Sequence, residues 1–244
     1  MFEPLHCVAL RTIRYSDSNS ILTVYSSERG RLALYVPAGN GRSASRYRAL
    51  TQPMSVFECV AEIKGGREIH RFKDIKADDG CLQGAVADPV RSVLSLFLAD
   101  FFASVLKEPL PDEAMFELLR TASRNIAGLP SSRLSNLHIA TLVTALRILG
   151  IEPDTSTVGE GRFFDMGEGL WTDNIADYNR YCLSLEESAF VALLARMTHS
   201  NQHLFRFSRQ QRNDIVEGIL KYFSLHGFGK LELASLPVLR ELFD

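Results

Sequence analysis

The sequence predicts an α+β protein, and three observations carry that prediction. The first third consists of short alternating apolar runs, the apolar period changes after residue 77, and the remainder is helical except for one glycine-rich interruption. The runs LHCVALRTIR (5–14), SILTVYSS (20–27) and RLALYVP (31–37) are rich in β-branched and aromatic residues, and the turn-formers SDSN and ERG separate them. Two further runs, MSVFECVAEIK (54–64) and REIHRFKDIK (67–76), flank Gly65-Gly66, a strong hairpin signal. Five short strands with one longer connection between the third and fourth suit a small closed barrel such as the OB-fold; an open antiparallel sheet is the alternative.

After residue 77 the spacing becomes helical. In PVRSVLSLFLADFFASVL, apolar residues fall at Val90, Val93, Leu94, Phe97, Leu98, Phe101, Phe102 and Val105, the i, i+3, i+4, i+7 stripe of a buried helix. Further helices are expected at about 112–127 and about 132–149, the second stopped by Gly150 and Pro153. Two capping boxes, Ser184 with Glu187 and Ser208 with Gln211, mark later helix starts. The stretch TVGEGRFFDMGEGLWTDN (157–174) holds the single tryptophan, Trp171, and reads as a short β-hairpin or structured loop. The expected division is a barrel domain over 1–77 and an all-α domain over 78–244 with that insertion.

Composition narrows the class. Of 244 residues, 46% are hydrophobic and 23% charged, which is enough for a substantial core in a soluble chain. No apolar run approaches the roughly 18 residues of a membrane-spanning helix, and MFEPLHCVALRTIR has no basic-then-apolar leader pattern. The expected location is the cytoplasm, in association with the nucleoid. Cys7, Cys59, Cys81 and Cys182 form no CxxC pair and read as small buried hydrophobes rather than zinc ligands.

The net charge of −2 conceals an asymmetry. Residues 1–76 hold 12 Lys or Arg against 7 Asp or Glu, which leaves 15 against 22 of the totals of 27 and 29 for residues 77–244. A basic front and an acidic back suggest two domains with different partners. Within the front, Arg11, Arg14, Arg29, Arg31, Arg42, Arg46, Arg48, Arg67, Arg71, Lys73 and Lys76 are interleaved with Tyr15, Tyr25, Tyr35, Tyr47 and Phe72. Barrels of this type hold single strands by pairing a cationic groove with aromatic stacking, and arginine grips phosphate with a planar bidentate fork. The bland alternative is a solvated barrel whose tyrosines lie half in the core.

The residues expected to contact DNA are Arg14, Arg29, Arg31, Arg42, Arg46, Tyr47, Arg48, Arg71 and Lys73. Among them, GRSASRYR (41–48) reads as a mobile loop that closes on phosphates, with Gly39 and Gly41 giving backbone freedom. A second cluster, FRFSRQQR (205–212), sets Phe205, Arg206, Phe207, Arg209 and Arg212 at the start of a helix, where an acidic peptide tail with an apolar end would fit. Simple packing of the phenylalanines against the preceding turn is the competing explanation.

No catalytic constellation is evident: the chain has no G-x-S-x-G elbow, no GxxxxGK[ST] phosphate loop and no H-E-x-x-H helix. His199 and His203 have the i, i+4 spacing of metal ligands, but a third ligand is missing, and they read as exposed or capping side chains. No enzyme activity, no metal and no cofactor are expected.

The segment VALRTIRYSDSNSILTVYSSERGRLALYVPAG (8–39) follows a recognisable order: an apolar strand, a Tyr-Ser-Asp turn, a second strand ending before E-x-G-R, and a strand running into a Gly-and-basic stretch. With RALTQPMSVFE (48–58) and, more weakly, LRILGIEPD (146–154) and FFDMGEG (163–169), it resembles the RecO family of bacterial recombination mediators. The resemblance is specific over residues 8–58. It implies an N-terminal OB-fold followed by a helical domain, binding of single- and double-stranded DNA, and annealing of complementary strands. It also implies partners: RecR, the acidic C-terminal tail of single-stranded DNA-binding protein and, indirectly, RecA. Many members carry a four-cysteine zinc site around the segment matching 157–182, whereas this chain has Gly159, Glu160 and Gly161 there and keeps only Cys182. The expectation is a hairpin held without metal by Phe163, Phe164 and Trp171. An OB-fold module for RNA and an enzyme with its pocket in the helical domain are the other two readings.

Overall fold

Alternation at period two builds a barrel because every second side chain can be buried while its neighbours face water. The structure is a computed structural model that describes residues 1–39, 41–82, 88–173 and 181–242. Its five N-terminal strands are β1 (Phe2–Arg14), β2 (Asn19–Ser26), β3 (Gly30–Pro37), β4 (Val56–Glu62) and β5 (Ile69–Ala77). They close in the order β1-β2-β3-β5-β4, with β3 parallel to β5 and the other pairs antiparallel. This is the OB-fold expected from the strand count. The interior is filled by alternate residues: Leu5, Cys7 and Ala9 from β1, Leu22 and Val24 from β2, Leu34 and Val36 from β3, and Phe57, Cys59 and Ala61 from β4.

Closure requires bends. β1 is long enough to pair with β4 through Phe2–Val8 and with β2 through Cys7–Arg14, and its register shifts between Ala9 and Arg11. A second shift, between Glu58 and Val60 of β4, lies opposite Asp74, whose φ of 55° is the left-handed conformation that aspartate tolerates at a bulge.

One element corrects the sequence reading. The stretch expected to be a mobile loop is a helix, α1 (Arg42–Leu50), which bridges β3 and β4. Past Gly41 it contains no glycine or proline, and its arginines, alanines and leucine all favour helix. Ala44 is buried, and Tyr47 and Leu50 pack against the barrel core, so three residues at i, i+3 and i+6 anchor one face. Asn40, in the GNG stretch, lies outside the described residues.

Helices α2 (Pro89–Val105) and α3 (Glu113–Gly128) begin at aspartate caps: Asp88 accepts from Val90 N and Arg91 N, and Asp112 accepts from Met115 N. Together with the barrel and a late helix, α7 (Leu236–Arg240), they form one compact unit comprising 1–134 and 233–244; residues 135–232 form a second. The grouping is therefore discontinuous in sequence, and α2 and α3 belong with the strands.

Three side chains fasten the barrel to these helices. The Arg31 guanidinium donates to Ala103 O (2.6 Å) and Leu106 O (2.8 Å), capping the C-terminal end of α2, where the helix dipole favours a cation. The Tyr25 hydroxyl donates to Leu110 O (3.2 Å) and accepts from Asp112 N (2.9 Å). Arg11 meets the buried Asp100 carboxylate at 2.5 Å, and the other carboxylate oxygen accepts from the amide (3.1 Å) and hydroxyl (2.9 Å) of Ser235.

The second unit contains α4 (Leu137–Ile148), the hairpin β6 (Phe163–Asp165) and β7 (Leu170–Thr172), α5 (Leu185–Leu194) and α6 (Arg209–Phe223). α4 begins later than its periodicity suggests, because residues 131–133 form a separate 3-10 turn. Both expected capping boxes are present, at Ser184–Glu187 and Ser208–Gln211. The hairpin is held by aromatic packing: the Phe164 ring lies 4.6 Å from Trp171 and 6.0 Å from Tyr222. Ser188 adds a polar staple, its hydroxyl accepting from Phe164 N (2.7 Å) and its carbonyl accepting from Trp171 Nε1 (3.2 Å). Phe163 is only half-buried, so the third aromatic partner is Tyr222 rather than Phe163. Residues 174–180, within the segment compared with the family zinc site, lie outside the described residues.

Two histidines make this unit sensitive to acid. Burial, with a smaller contribution from the Arg212 charge, pushes His138 down to about 3, and burial pushes His199 down to about 4. Both stay neutral when folded, while the unfolded chain takes up protons near 6.5. Their contribution to stability is therefore complete above pH 6.5 and is lost as the pH falls toward 3. His138 alone should withdraw about 2 kcal/mol between pH 7 and pH 5. Urea unfolding at several pH values checks this: His138→Leu should flatten the pH slope whatever its absolute stability, and an unchanged slope would refute the assignment. No helix among the described residues is long and apolar enough to cross a membrane.

Candidate nucleic-acid interface

Where the turn after β1 and the turn before β5 meet the rim of the barrel, a cleft of about 800 Å³ opens. It is lined by Tyr15, Asn19, Tyr35, Pro37, Tyr47, Arg67, Glu68, Ile69, Arg71 and Phe72. The β1–β2 and β4–β5 loops are the two that OB-folds use to grip oligonucleotides. Each aromatic wall is a pair: Tyr15 and Tyr35 stand edge-to-face with ring centres 6.1 Å apart, and Tyr47 and Phe72 stand likewise at 5.3 Å. Tyr15 is 61% exposed, so most of its ring is open to a ligand.

The arginines of the barrel divide by what their donors already hold. Arg29 grips Glu3 through contacts of 2.7 to 3.1 Å, Arg14 reaches Asp17 at 3.1 Å, and Arg46 donates to Ile75 O at 3.1 Å. Arg31 is fixed on the end of α2, and burial and the nearby Arg11 lower its pKa. Lys73 lies 4.9 Å above the Phe2 ring and 3.8 Å from Asp74. By contrast, Arg67 and Arg71 form no salt bridge or side-chain hydrogen bond among the described residues, and the same holds for Arg42 and Arg48 on the exposed face of α1.

Of the nine residues expected to contact DNA, the cleft thus brings together Tyr47 and Arg71. Arg42 and Arg48 stay unengaged on the helix that supplies Tyr47, while Arg14, Arg29, Arg31, Arg46 and Lys73 do not line the cleft and have internal contacts. Tyr15, Tyr35, Arg67 and Phe72 belong to the basic and aromatic set noted in the sequence. Asn19 and Glu68 carried no sequence signal, since only the meeting of two turns makes them neighbours.

In the second unit, Phe207 packs against Phe190 at 5.5 Å and Phe205 at 5.9 Å, and Arg212 donates to Phe207 O at 2.6 Å. Phe205 O accepts from Asn136 Nδ2 at 2.8 Å. These phenylalanines stabilise the turn before α6, while Arg206 and Arg209 are exposed. His199 and His203 share no helical face, because α5 ends at Leu194; of the two readings, exposed or capping, the exposed one holds for His203 but not for His199, which is half-buried with Nε2 2.9 Å from the Thr141 hydroxyl. No group of three His, Cys, Asp or Glu among the described residues is placed to hold a metal. With Gly159, Glu160, Gly161 and Cys182 at the relevant positions, the hairpin does not fit a four-thiolate zinc site.

Residues 1–79 match the family model described as "Recombination protein O N terminal". The DNA repair protein RecO of Phocaeicola vulgatus is 31% identical over 237 residues, covering 97% of both chains. The chain belongs to the RecO family. The RecO proteins of Porphyromonas gingivalis and Azobacteroides pseudotrichonymphae are 30% and 28% identical, over 97% and 100% of both chains. Family likeness therefore runs through the helical part as well as the barrel, including segments where the sequence resemblance was weak.

Proposed function

We propose that the protein is a recombination mediator that binds single- and double-stranded DNA through its barrel, anneals complementary strands and helps load recombinase onto DNA coated by single-stranded DNA-binding protein. The observation that carries this reading is the cleft, where aromatic rings and two unengaged guanidiniums meet between the two loops that OB-folds use for oligonucleotides. Stacking holds bases without regard to sequence, and arginine holds phosphate. RecR and the acidic tail of single-stranded DNA-binding protein are the protein partners, with the exposed Arg206 and Arg209 at the start of α6 offered to the tail. The role is one of binding rather than bond-breaking chemistry, carried out in the cytoplasm at the nucleoid.

A salt titration with single-stranded DNA, duplex DNA and RNA of equal length tests the reading. Both DNA forms should bind, with affinity falling steeply as salt rises. Arg67→Ala combined with Arg71→Ala should weaken binding to all sequences alike and flatten the salt slope by up to about two units. Wild-type affinity and slope in that variant would remove the cleft from DNA binding, and a strong preference for RNA would favour an RNA-binding factor.

A further inference from the structure

The cleft contains one group that a phosphate site should not have. Glu68 lines it together with Arg67 and Arg71, is exposed to solvent, and forms no salt bridge or hydrogen bond among the described residues. A carboxylate beside a phosphate costs repulsion at close range, so the place next to Glu68 is unsuited to a phosphate, although the two arginines of the lining can hold phosphates elsewhere in the cleft. A nucleobase has no charge to repel, and the aromatic walls offer it a stacking surface. Duplex DNA keeps its base faces covered by their neighbours, so only an unpaired base can enter.

We propose that the cleft takes an unpaired nucleobase and prefers guanine, with Glu68 as the residue that sets the preference. The inference rests on the reading of this cleft as part of the DNA site. An ionised carboxylate can only accept hydrogen bonds, and it is best satisfied by two donors side by side. Guanine supplies such a pair, N1–H and the N2 amino group, on its Watson–Crick edge. Adenine and cytosine each set a ring nitrogen lone pair next to their amino group, and thymine flanks its N3–H with two carbonyl oxygens. Each of these three would turn an acceptor toward Glu68. The remaining guanine acceptors, O6 and N7, match the forked donors of one arginine, and the lining supplies two, Arg67 and Arg71, so that one remains for a neighbouring phosphate. Asn19, at the first position of β2, adds a side-chain amide able both to donate and to accept. The phosphates on either side of the inserted base are left to the second of the lining arginines and to Arg42 and Arg48, which are exposed on α1.

The test is fluorescence anisotropy of the full chain with labelled oligothymidylates that carry one central dG, dA, dC or abasic position. The dG strand should bind at least about fivefold more tightly than the others, since one well-made bidentate pair discriminates by that much or more. The same dG within a fully paired duplex should confer no advantage. Glu68→Gln should abolish the dG preference, read as the ratio of affinities for the dG strand and plain oligothymidylate, while affinity for all strands rises because a negative charge is removed. Equal affinity for all four strands, or a dG preference that survives Glu68→Gln, would overturn the inference. The Arg67→Ala, Arg71→Ala variant separates this failure from the larger one. If that variant binds every strand like the wild type, the cleft is not the DNA site. If it loses affinity uniformly while the wild type shows no dG preference, the DNA site stands and only the base preference falls.

Discussion

Gly30→Ala is expected to destabilise the barrel unit by about 3–5 kcal/mol, one of the larger effects available from a single added methyl. Gly30 opens β3 with φ at 64°, where an L side chain is strained by about 1–2 kcal/mol. A Cβ there would also lie 2.3 Å from Leu110 O and 2.4 Å from Leu110 C, so it would displace backbone rather than a flexible side chain. That backbone has little freedom to move, because the Tyr25 hydroxyl bonds Leu110 O and Asp112 N, and Arg31 holds Leu106 O. Gly66 provides the control: its φ is 76°, but nothing lies within 4 Å of the place a Cβ would take, so Gly66→Ala should show only the conformational strain, about 1 kcal/mol. Urea denaturation of both variants separates the two contributions. Equal losses would mean that the close approach to Leu110 is not part of the native packing.

Asp100→Ala is expected to cost about 2–4 kcal/mol, less than a wholly buried ion pair because the Arg11 side chain is 49% exposed and can rehydrate. The larger part of the loss comes from Ser235, whose amide and hydroxyl both donate to this carboxylate in a buried position. Asp100→Asn keeps an oxygen for Ser235 but removes the charge that attracts Arg11, so it should recover part of the stability. Limited proteolysis gives a second readout, since residues 233–242 should become susceptible in Asp100→Ala and stay protected in Asp100→Asn. Protection in both variants would show that apolar packing of the C-terminal segment, through Leu233 and Leu239, suffices without the carboxylate.

Local chemistry was legible in the sequence, and contacts across long sequence separations were not. The five strands, the buried stripe of α2 and the capping boxes at Ser184 and Ser208 all depend on residues within a few positions of one another. The helix α1 was hidden because its apolar anchors, Ala44, Tyr47 and Leu50, are few and stand among serines and arginines that also suit a turn. For the site, the sequence supplied the right residue types but not their engagement. Arg29 and Arg31 look as available as Arg67 and Arg71 in the sequence, yet Glu3 is 26 residues from Arg29, and the carbonyls that hold Arg31 are 72 and 75 residues away. Glu68 was invisible as a site residue for the same reason, because a cleft formed by two turns has no sequence period.

The bond between Asp100 and Ser235 also bears on the order in which the chain acquires its structure during synthesis. Residues 135–232 form a continuous unit, whereas the barrel unit needs a segment that is translated only after all of them. At about 5–20 residues per second, the Asp100 carboxylate waits several seconds or more for the serine that completes its hydrogen bonds. During that interval the inserted unit can already close on its own contacts, so the first unit to start on the ribosome is the last to finish.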